Sequence, residues 1–182
     1  PATYCKAFDG IRAAFANTRE AKSMQLTASH FSFNSEGGRC ATCEGLGFTT
    51  VEMQFVADIS LPCADCRGTR YNPEVLKITY RDRNIHDILQ MSVDDAFEFF
   101  RGEDSIRDRL TLLREIGLGY LPLGQSLGSL SAGESMRLKL ASLLGKSSGD
   151  RNRELIVMDE PTTGLHFADI EKLIHCMESL LE

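Results

Sequence analysis

The sequence predicts an α/β protein, mixed α+β over the chain as a whole, on three observations. Leu155-Ile156-Val157-Met158 is an apolar run ended by Asp159-Glu160-Pro161, the pattern of a strand buried on both faces as in a parallel sheet. Ser131-Ala132-Gly133-Glu134 has the S-x-x-E form of a capping box and opens a helical stretch to about Leu144. Upstream, the unit C-x-x-C-x-G occurs twice, at Cys40–Gly45 and Cys63–Gly68, which predicts a small module held by a metal ion.

In chain order, Phe8, Ile11, Ala14 and Phe15 recur at helical spacing, so residues 8–16 read as a short amphipathic helix. Residues 17–39 read as loop, with Gly37-Gly38 as a turn before the first cysteine pair. Within that loop Phe31 and Phe33 alternate, as a short strand or as exposed rings that stack on bases. Val51, Met53 and Phe55 alternate with polar residues, the pattern of a half-buried strand. After the second cysteine pair, Leu76, Ile78 and Tyr80 predict a strand over 75–81. Arg67, Arg70, Lys77, Arg81 and Arg83 accompany it, either as phosphate contacts or as a solvated face diluted by Asp65, Glu74 and Asp82.

Residues 84–128 read as helical. Ser92 and Asp95 cap a helix to about Phe100 that Gly102 ends. Ile106, Leu110, Leu113 and Ile116 stripe a second helix that Gly117 stops. Asn84, His86 and Asp87 carry no interpretable pattern. Past the Asp159-Glu160 turn, Phe167, Ile170, Leu173, Ile174, Met177 and Leu181 form the stripe of a final amphipathic helix.

The chemistry concentrates in three places. Cys40, Cys43, Cys63 and Cys66 offer four sulfurs with nineteen residues between the pairs, a spacing and donor set that suit tetrahedral Zn²⁺. Such a closed site holds shape and does no chemistry. Cys5 and Cys176 have no cysteine neighbour in sequence and read as buried or free thiols. The helix opened by Ser131 presents free N–H groups and the positive end of its dipole, which attract anions. Asp159 and Glu160 stand where a strand ends, the place where open α/β sheets bind ligands. There Asp159 can support Mg²⁺ and Glu160 can orient or deprotonate an attacking water. His166 reads either as a nucleotide-facing group or as an ordinary polar loop residue.

Length suits one compact domain or two small ones. A net charge of −6 excludes a chain-wide basic footprint for nucleic acid. The balance is uneven: residues 84–128 hold eight acids against four bases, and 154–182 hold seven against one. Any nucleic-acid surface is therefore a patch. No run approaches the ~20 apolar residues of a membrane span, so no membrane partner is expected. Paired rather than scattered cysteines favour metal binding in a reducing cytoplasm. A start at Pro1 is expected of a trimmed piece of something longer.

The pair of motifs around Ser131 and Asp159 resembles the signature loop and Walker B strand of ABC-type ATPases. FSFNSEGGRCATCEGLG, CADCRGTRYNPEVL, IGLGYLPLGQ, LSAGE and MDEPTTGLHFADI together resemble the second ATPase half of the UvrA family. That resemblance covers essentially the whole chain. It implies a partial ABC ATPase lobe with a helical signature subdomain and an inserted Cys₄ zinc module. On it, residues 1–83 are the zinc-bearing insertion, 84–128 the helical subdomain, and 129–182 the signature helix, Walker B strand and D-loop.

The function implied is ATP-dependent recognition of damaged DNA and its delivery to UvrB. ATP and Mg²⁺ would bind at composite sites. Ser131, Ala132, Gly133 and Glu134 would close on a phosphate held by the other ATPase half or by a self-dimer. Asp159 and Glu160 would serve metal and water, and Gly164 to His166 would form the D-loop. No G-x-x-x-x-G-K-S/T phosphate loop occurs in the 182 residues, so the isolated chain is expected to be inactive. The family's LSGGEAQR stands here as Leu-Ser-Ala-Gly-Glu-Ser-Met-Arg. Ala132 adds a Cβ beside the phosphate contact, and Met136 replaces a polar amide. Two alternatives remain at this stage: a UvrA-like ABC protein in drug tolerance, and a zinc interaction module without catalysis.

Overall fold

The computed structural model describes residues 1–53, 58–144, 157–162 and 167–181. It divides into two compact units, Ile11–Ile88 and Pro1–Gly10 with Leu89–Glu182. Helices dominate the unit that contains Leu89–Glu182, while the Ile11–Ile88 unit is mostly turns with short helices and strands. Among the described residues, sheet is confined to two antiparallel pairs, giving a mixed helix and small-sheet architecture.

Helix α1 (Ala7–Ala16) forms where the apolar spacing predicts it. In the Ile11–Ile88 unit its Ile11 and Phe15 are fully buried. Residues 17–39 are not all loop: α2 (Arg19–Ser23) follows, capped by Thr18, whose hydroxyl accepts from the Ala21 N–H at 3.2 Å. Phe31 is neither strand nor exposed. It is completely buried, 5.4 Å from the Phe15 ring, and its carbonyl accepts from the buried Tyr71 hydroxyl at 2.9 Å. Burial of a large ring outweighs any local strand preference there.

Strands β1 (Phe48–Val51) and β2 (Ile59–Pro62) pair in antiparallel register, Phe48 opposite Pro62 and Val51 opposite Ile59. All eight of their residues are exposed; of the predicted half-buried strand, Val51 ends β1 and is exposed, Met53 is exposed and lies outside any strand, and Phe55 lies outside the described residues. Alternation shows that two faces differ; it does not show that either is covered.

The strand predicted over 75–81 is replaced by a helical turn and a hairpin. Asn72 accepts from the Val75 N–H at 3.0 Å, and Pro73 takes the first helical position of α3 (Pro73–Leu76). Only Thr79–Tyr80 (β3) remain strand, paired with Arg83–Asn84 (β4). Helix α4 (Ile85–Gln90) then starts on a reciprocal cap. Asn84 Oδ1 accepts from the Asp87 N–H at 2.9 Å and Asp87 Oδ2 from the Asn84 N–H at 3.0 Å. This N-x-x-D version of the capping box is the pattern that Asn84 and Asp87 carry.

In the other unit, α5 (Val93–Phe99) is capped by Ser92 as predicted, with Gly102 beyond it at φ 91°. Helix α6 (Asp104–Glu115) closes in a Schellman motif: Leu118 N–H to Leu113 O at 2.9 Å and Gly117 N–H to Arg114 O at 2.9 Å. Gly117 sits at φ 73°, a conformation that side chains resist. Leu113 and Leu118 are both fully buried, the apolar contact that accompanies such an ending. The Phe97 ring lies between the guanidinium carbons of Arg107 and Arg114, 4.1 and 4.2 Å from its centroid, which ties α5 to α6.

The run after Gly117 is stitched back onto α5. Asp94 N–H donates to Gly119 O, Val93 N–H to Leu121 O, and Leu123 N–H to Met91 O, all within 3.0 Å. This delivers the chain to α7 (Ala132–Leu144), the predicted signature helix. Helix α8 (Phe167–Leu181) also forms as predicted. Of its stripe, Leu173 is buried, but Phe167 is 86% and Ile174 46% exposed.

The apolar run before Asp159 also departs from expectation. Leu155 and Ile156 lie outside the described residues, while Val157 and Met158 are not in a strand and Val157 is 83% exposed. A parallel strand needs hydrogen-bonded neighbours on its flanks. None of the described strands is parallel to anything.

Candidate metal centre and signature loop

The four cysteines converge. Their sulfurs all lie within 4.8 Å of one another and every one of the residues is buried. Cys40 Sγ stands 3.9 Å from Cys63 Sγ, and Cys43 Sγ 3.6 Å from Cys66 Sγ. Four thiolates around a tetrahedral ion at ~2.3 Å put sulfurs about 3.8 Å apart. The cluster can therefore hold a metal ion, consistent with zinc.

The two knuckles have nearly the same backbone. After the second cysteine of each, both residues turn left-handed: Glu44 and Gly45 at φ 50° and 86°, Arg67 and Gly68 at 50° and 88°. Gly45 is also forced by space, because a Cβ there would stand 1.8 Å from the Phe33 carbonyl oxygen. The knuckles bind each other reciprocally. Cys40 N–H donates to Arg70 O at 2.8 Å, and Cys63 N–H donates to Gly47 O at 3.0 Å. In each case the acceptor lies four residues past the second cysteine of the opposite knuckle. Thr42 and Asp65, which hold equivalent positions in the repeat, hydrogen-bond across the junction. The duplicated hexapeptide thus folds as a pseudo-twofold pair around one point.

The thiols are electrostatically unequal. Burial acts to raise Cys40, but the backbone N–H groups of Cys43 and Thr42 and the neighbouring thiols outweigh it and bring it to about 7. Burial dominates at Cys66 and pushes it up to about 11. Metal binding to such a set requires deprotonation and so releases protons.

The signature segment is the second centre. Ser131 Oγ accepts from the Glu134 N–H at 3.2 Å, and Glu134 Oε2 accepts from the Ser131 N–H at 2.7 Å. This is the predicted capping box, formed in both directions. Ser131 and Ala132 are exposed and Gly133 is buried. The Tyr120 hydroxyl donates to Glu134 Oε1 at 2.5 Å. Burial acts to raise the Glu134 carboxyl, but hydrogen bonds from Tyr120 and Ser131 and the charge of Arg137 hold it below the usual range. Tyr120 is raised in turn, first by burial and then by the carboxylate it serves.

Arg137 is the residue that sequence reasoning missed. It is buried, at 2% exposure. Its Nη1 donates to Ile116 O and Gly117 O at 3.3 Å, and its Nε to Gly133 O at 3.4 Å. A guanidinium at the carboxyl end of α6 meets the negative end of that helix dipole, which offsets part of the cost of burying it. Its place one turn after Gly133 was the available signal.

Asp159 and Glu160 are both exposed in the bend before Pro161. Glu160 has φ 43°, a region that residues with a Cβ enter rarely. Gly164 and His166 lie outside the described residues. No helix among the described residues is long and apolar enough to cross a membrane.

No family model matches the chain. It is 48% identical over all 182 residues to UvrABC system protein A of Aquifex aeolicus, and 47% identical to that of Methanothermobacter thermautotrophicus. Among solved structures, UvrA2 from Deinococcus radiodurans superposes with a TM-score of 0.91 at 48% identity over 99% of this chain. The chain spans 19% of the length of those two curated relatives and 21% of the UvrA2 chain. Identity at this level over every residue, with the cysteine repeat and the capped signature helix inside it, places the chain in the UvrA family.

Proposed function

We propose that these residues are the part of a UvrA-type ATPase that carries its zinc module, its signature loop and its Walker B carboxylates, in a protein that recognises damaged DNA for nucleotide excision repair. The observation that carries this reading is the reciprocal Ser131–Glu134 cap, which opens α7 with Ser131 and Ala132 exposed at a donor-bearing helix start. Relatives named UvrABC system protein A support the repair reading over a drug-tolerance paralogue or an inert zinc module.

The division of labour follows the residues. Ser131, Ala132 and Gly133 present hydroxyl and N–H donors to the terminal phosphate of ATP bound by the other ATPase half or a second copy, and Glu134 fixes their geometry. Asp159 supports Mg²⁺, and Glu160 orients and deprotonates the attacking water. Gly164 and His166 belong to the loop linking paired sites. Cys40, Cys43, Cys63 and Cys66 hold structural Zn²⁺, and four protein sulfurs leave it no open position for chemistry. Residues 1–83, 84–128 and 129–182 serve as zinc insertion, helical subdomain and ATPase segment. Damaged DNA and UvrB are the partners, in the cytoplasm.

The test is ATP turnover by the purified 182-residue chain beside the full-length parent. The parent hydrolyses ATP and the isolated chain does not, because no phosphate-binding loop motif occurs in it. Metal-dependent turnover by the isolated chain would overturn the composite-site reading.

A further inference from the structure

The run Gly117–Tyr120 touches the signature segment at two points. Arg137, one turn into α7, donates to Ile116 O and Gly117 O, and to Gly133 O in its own first turn. Three residues past Gly117, the Tyr120 hydroxyl reaches Glu134 Oε1 at 2.5 Å. Glu134 Oε2 is taken by the Ser131 N–H at 2.7 Å. Both carboxylate oxygens are therefore engaged, one by the loop that must be held and one by the segment that holds it. Tyr120 is 58% exposed, and its contact with Glu134 is made through the hydroxyl.

The capping box by itself holds one carboxylate oxygen, and a half-buried glutamate on a helix start still has more than one rotamer. A second hydrogen bond, on the other oxygen, removes that freedom. Ser131 Oγ accepts from the Glu134 N–H and keeps its own proton to donate.

We propose that Tyr120 is a positioning residue for ATP hydrolysis: it clamps Glu134 so that Ser131 is held in place before the phosphate arrives from the opposing half. The inference rests on the reading of Ser131 as a phosphate contact. Tyr120 touches no substrate and acts only through Glu134. ATP first binds elsewhere, on the phosphate-loop side. Loss of the clamp therefore weakens closure and not initial binding.

The experiment is steady-state ATP turnover in the full-length parent, comparing wild type, Tyr120→Phe, Glu134→Ala, the double variant and Glu160→Gln. In Tyr120→Phe, kcat falls about three- to tenfold with KM within about twofold, the signature of a contact that matters after binding. In the Glu134→Ala background, Tyr120→Phe has no further effect, because the group it acts through is gone. Unchanged kcat in Tyr120→Phe, or an equal loss repeated without Glu134, overturns the inference. Glu160→Gln separates the two levels. If it abolishes turnover while Tyr120→Phe changes nothing, the ATPase reading stands and the clamp does not. If it leaves turnover intact, the assignment of Glu160 as general base fails, and the Tyr120→Phe comparison alone decides the clamp.

Discussion

Replacing Cys63 by serine strips the metal from the zinc module and unfolds that module. The reason lies in how little else holds it. The eight residues of β1 and β2 are all exposed, so the hairpin between the knuckles has no packed face. A two-stranded hairpin of that size is at best marginally stable alone. The knuckles are joined to each other by hydrogen bonds at Cys40–Arg70, Cys63–Gly47 and Thr42–Asp65, beside the buried anchor of Tyr71 on Phe31 O. Each is worth about 1 kcal/mol net. Structural zinc contributes roughly 10–16 kcal/mol of apparent binding energy in small finger peptides at neutral pH, far more than those bonds together. Serine offers a hard hydroxyl in place of a thiolate, and three sulfurs do not close the site. Metal analysis is expected to fall from about one zinc per chain to near zero. Hydrogen exchange across residues 40–71 loses its protection while α6 and α7 keep theirs. Cys5→Ser is the control: Cys5 is not among the clustered sulfurs and its loss leaves the metal content unchanged. Full zinc occupancy in Cys63→Ser would refute the Cys₄ assignment.

Glu160→Gln in the full-length parent abolishes ATP turnover while sparing nucleotide binding. Glutamine keeps the size of the side chain and can still hydrogen-bond a water, but it cannot take a proton. General-base catalysis contributes typically about 10²–10⁴ in rate, so kcat drops by at least about a hundredfold. ATP affinity stays within about threefold, because a phosphate-binding loop elsewhere supplies most of the binding. The exposed, left-handed conformation of Glu160 fits a side chain kept accessible at backbone cost. Wild-type turnover in this variant would leave the zinc interaction module as the better account.

What the sequence made legible was whatever is written within a turn or two of chain. The capping box of Ser131 and Glu134, the Ser92 cap and the Gly117 ending all formed, because each is a local hydrogen-bond pattern with few alternatives. The cysteine repeat was legible for a different reason: four soft donors in two tight turns have little else to do. Readings that depended on distant partners fared worse. Phe31 went into the core because Phe15 and Tyr71 were there to receive it, which no local pattern announces. The 75–81 alternation gave way to Asn72 and Pro73, whose capping chemistry is stronger than a three-residue apolar period. Exposure of the β1–β2 hairpin was invisible because alternation does not say what covers a face. The burial of Arg137 depends on the carboxyl end of α6, which nothing in the local sequence of α7 announces. The apolar run before Asp159 requires sheet neighbours that no described strand provides.

The central claim is that the capped start of α7 completes a nucleotide site whose phosphate loop lies elsewhere. Ser131→Arg in the full-length parent tests it most directly, with ATP binding and ATP turnover measured on the same sample. A bulky cation at the helix start blocks approach of the opposing half without touching the phosphate loop. Near-normal ATP binding with turnover reduced at least about tenfold is expected; wild-type turnover in Ser131→Arg would show that the start of α7 completes no nucleotide site.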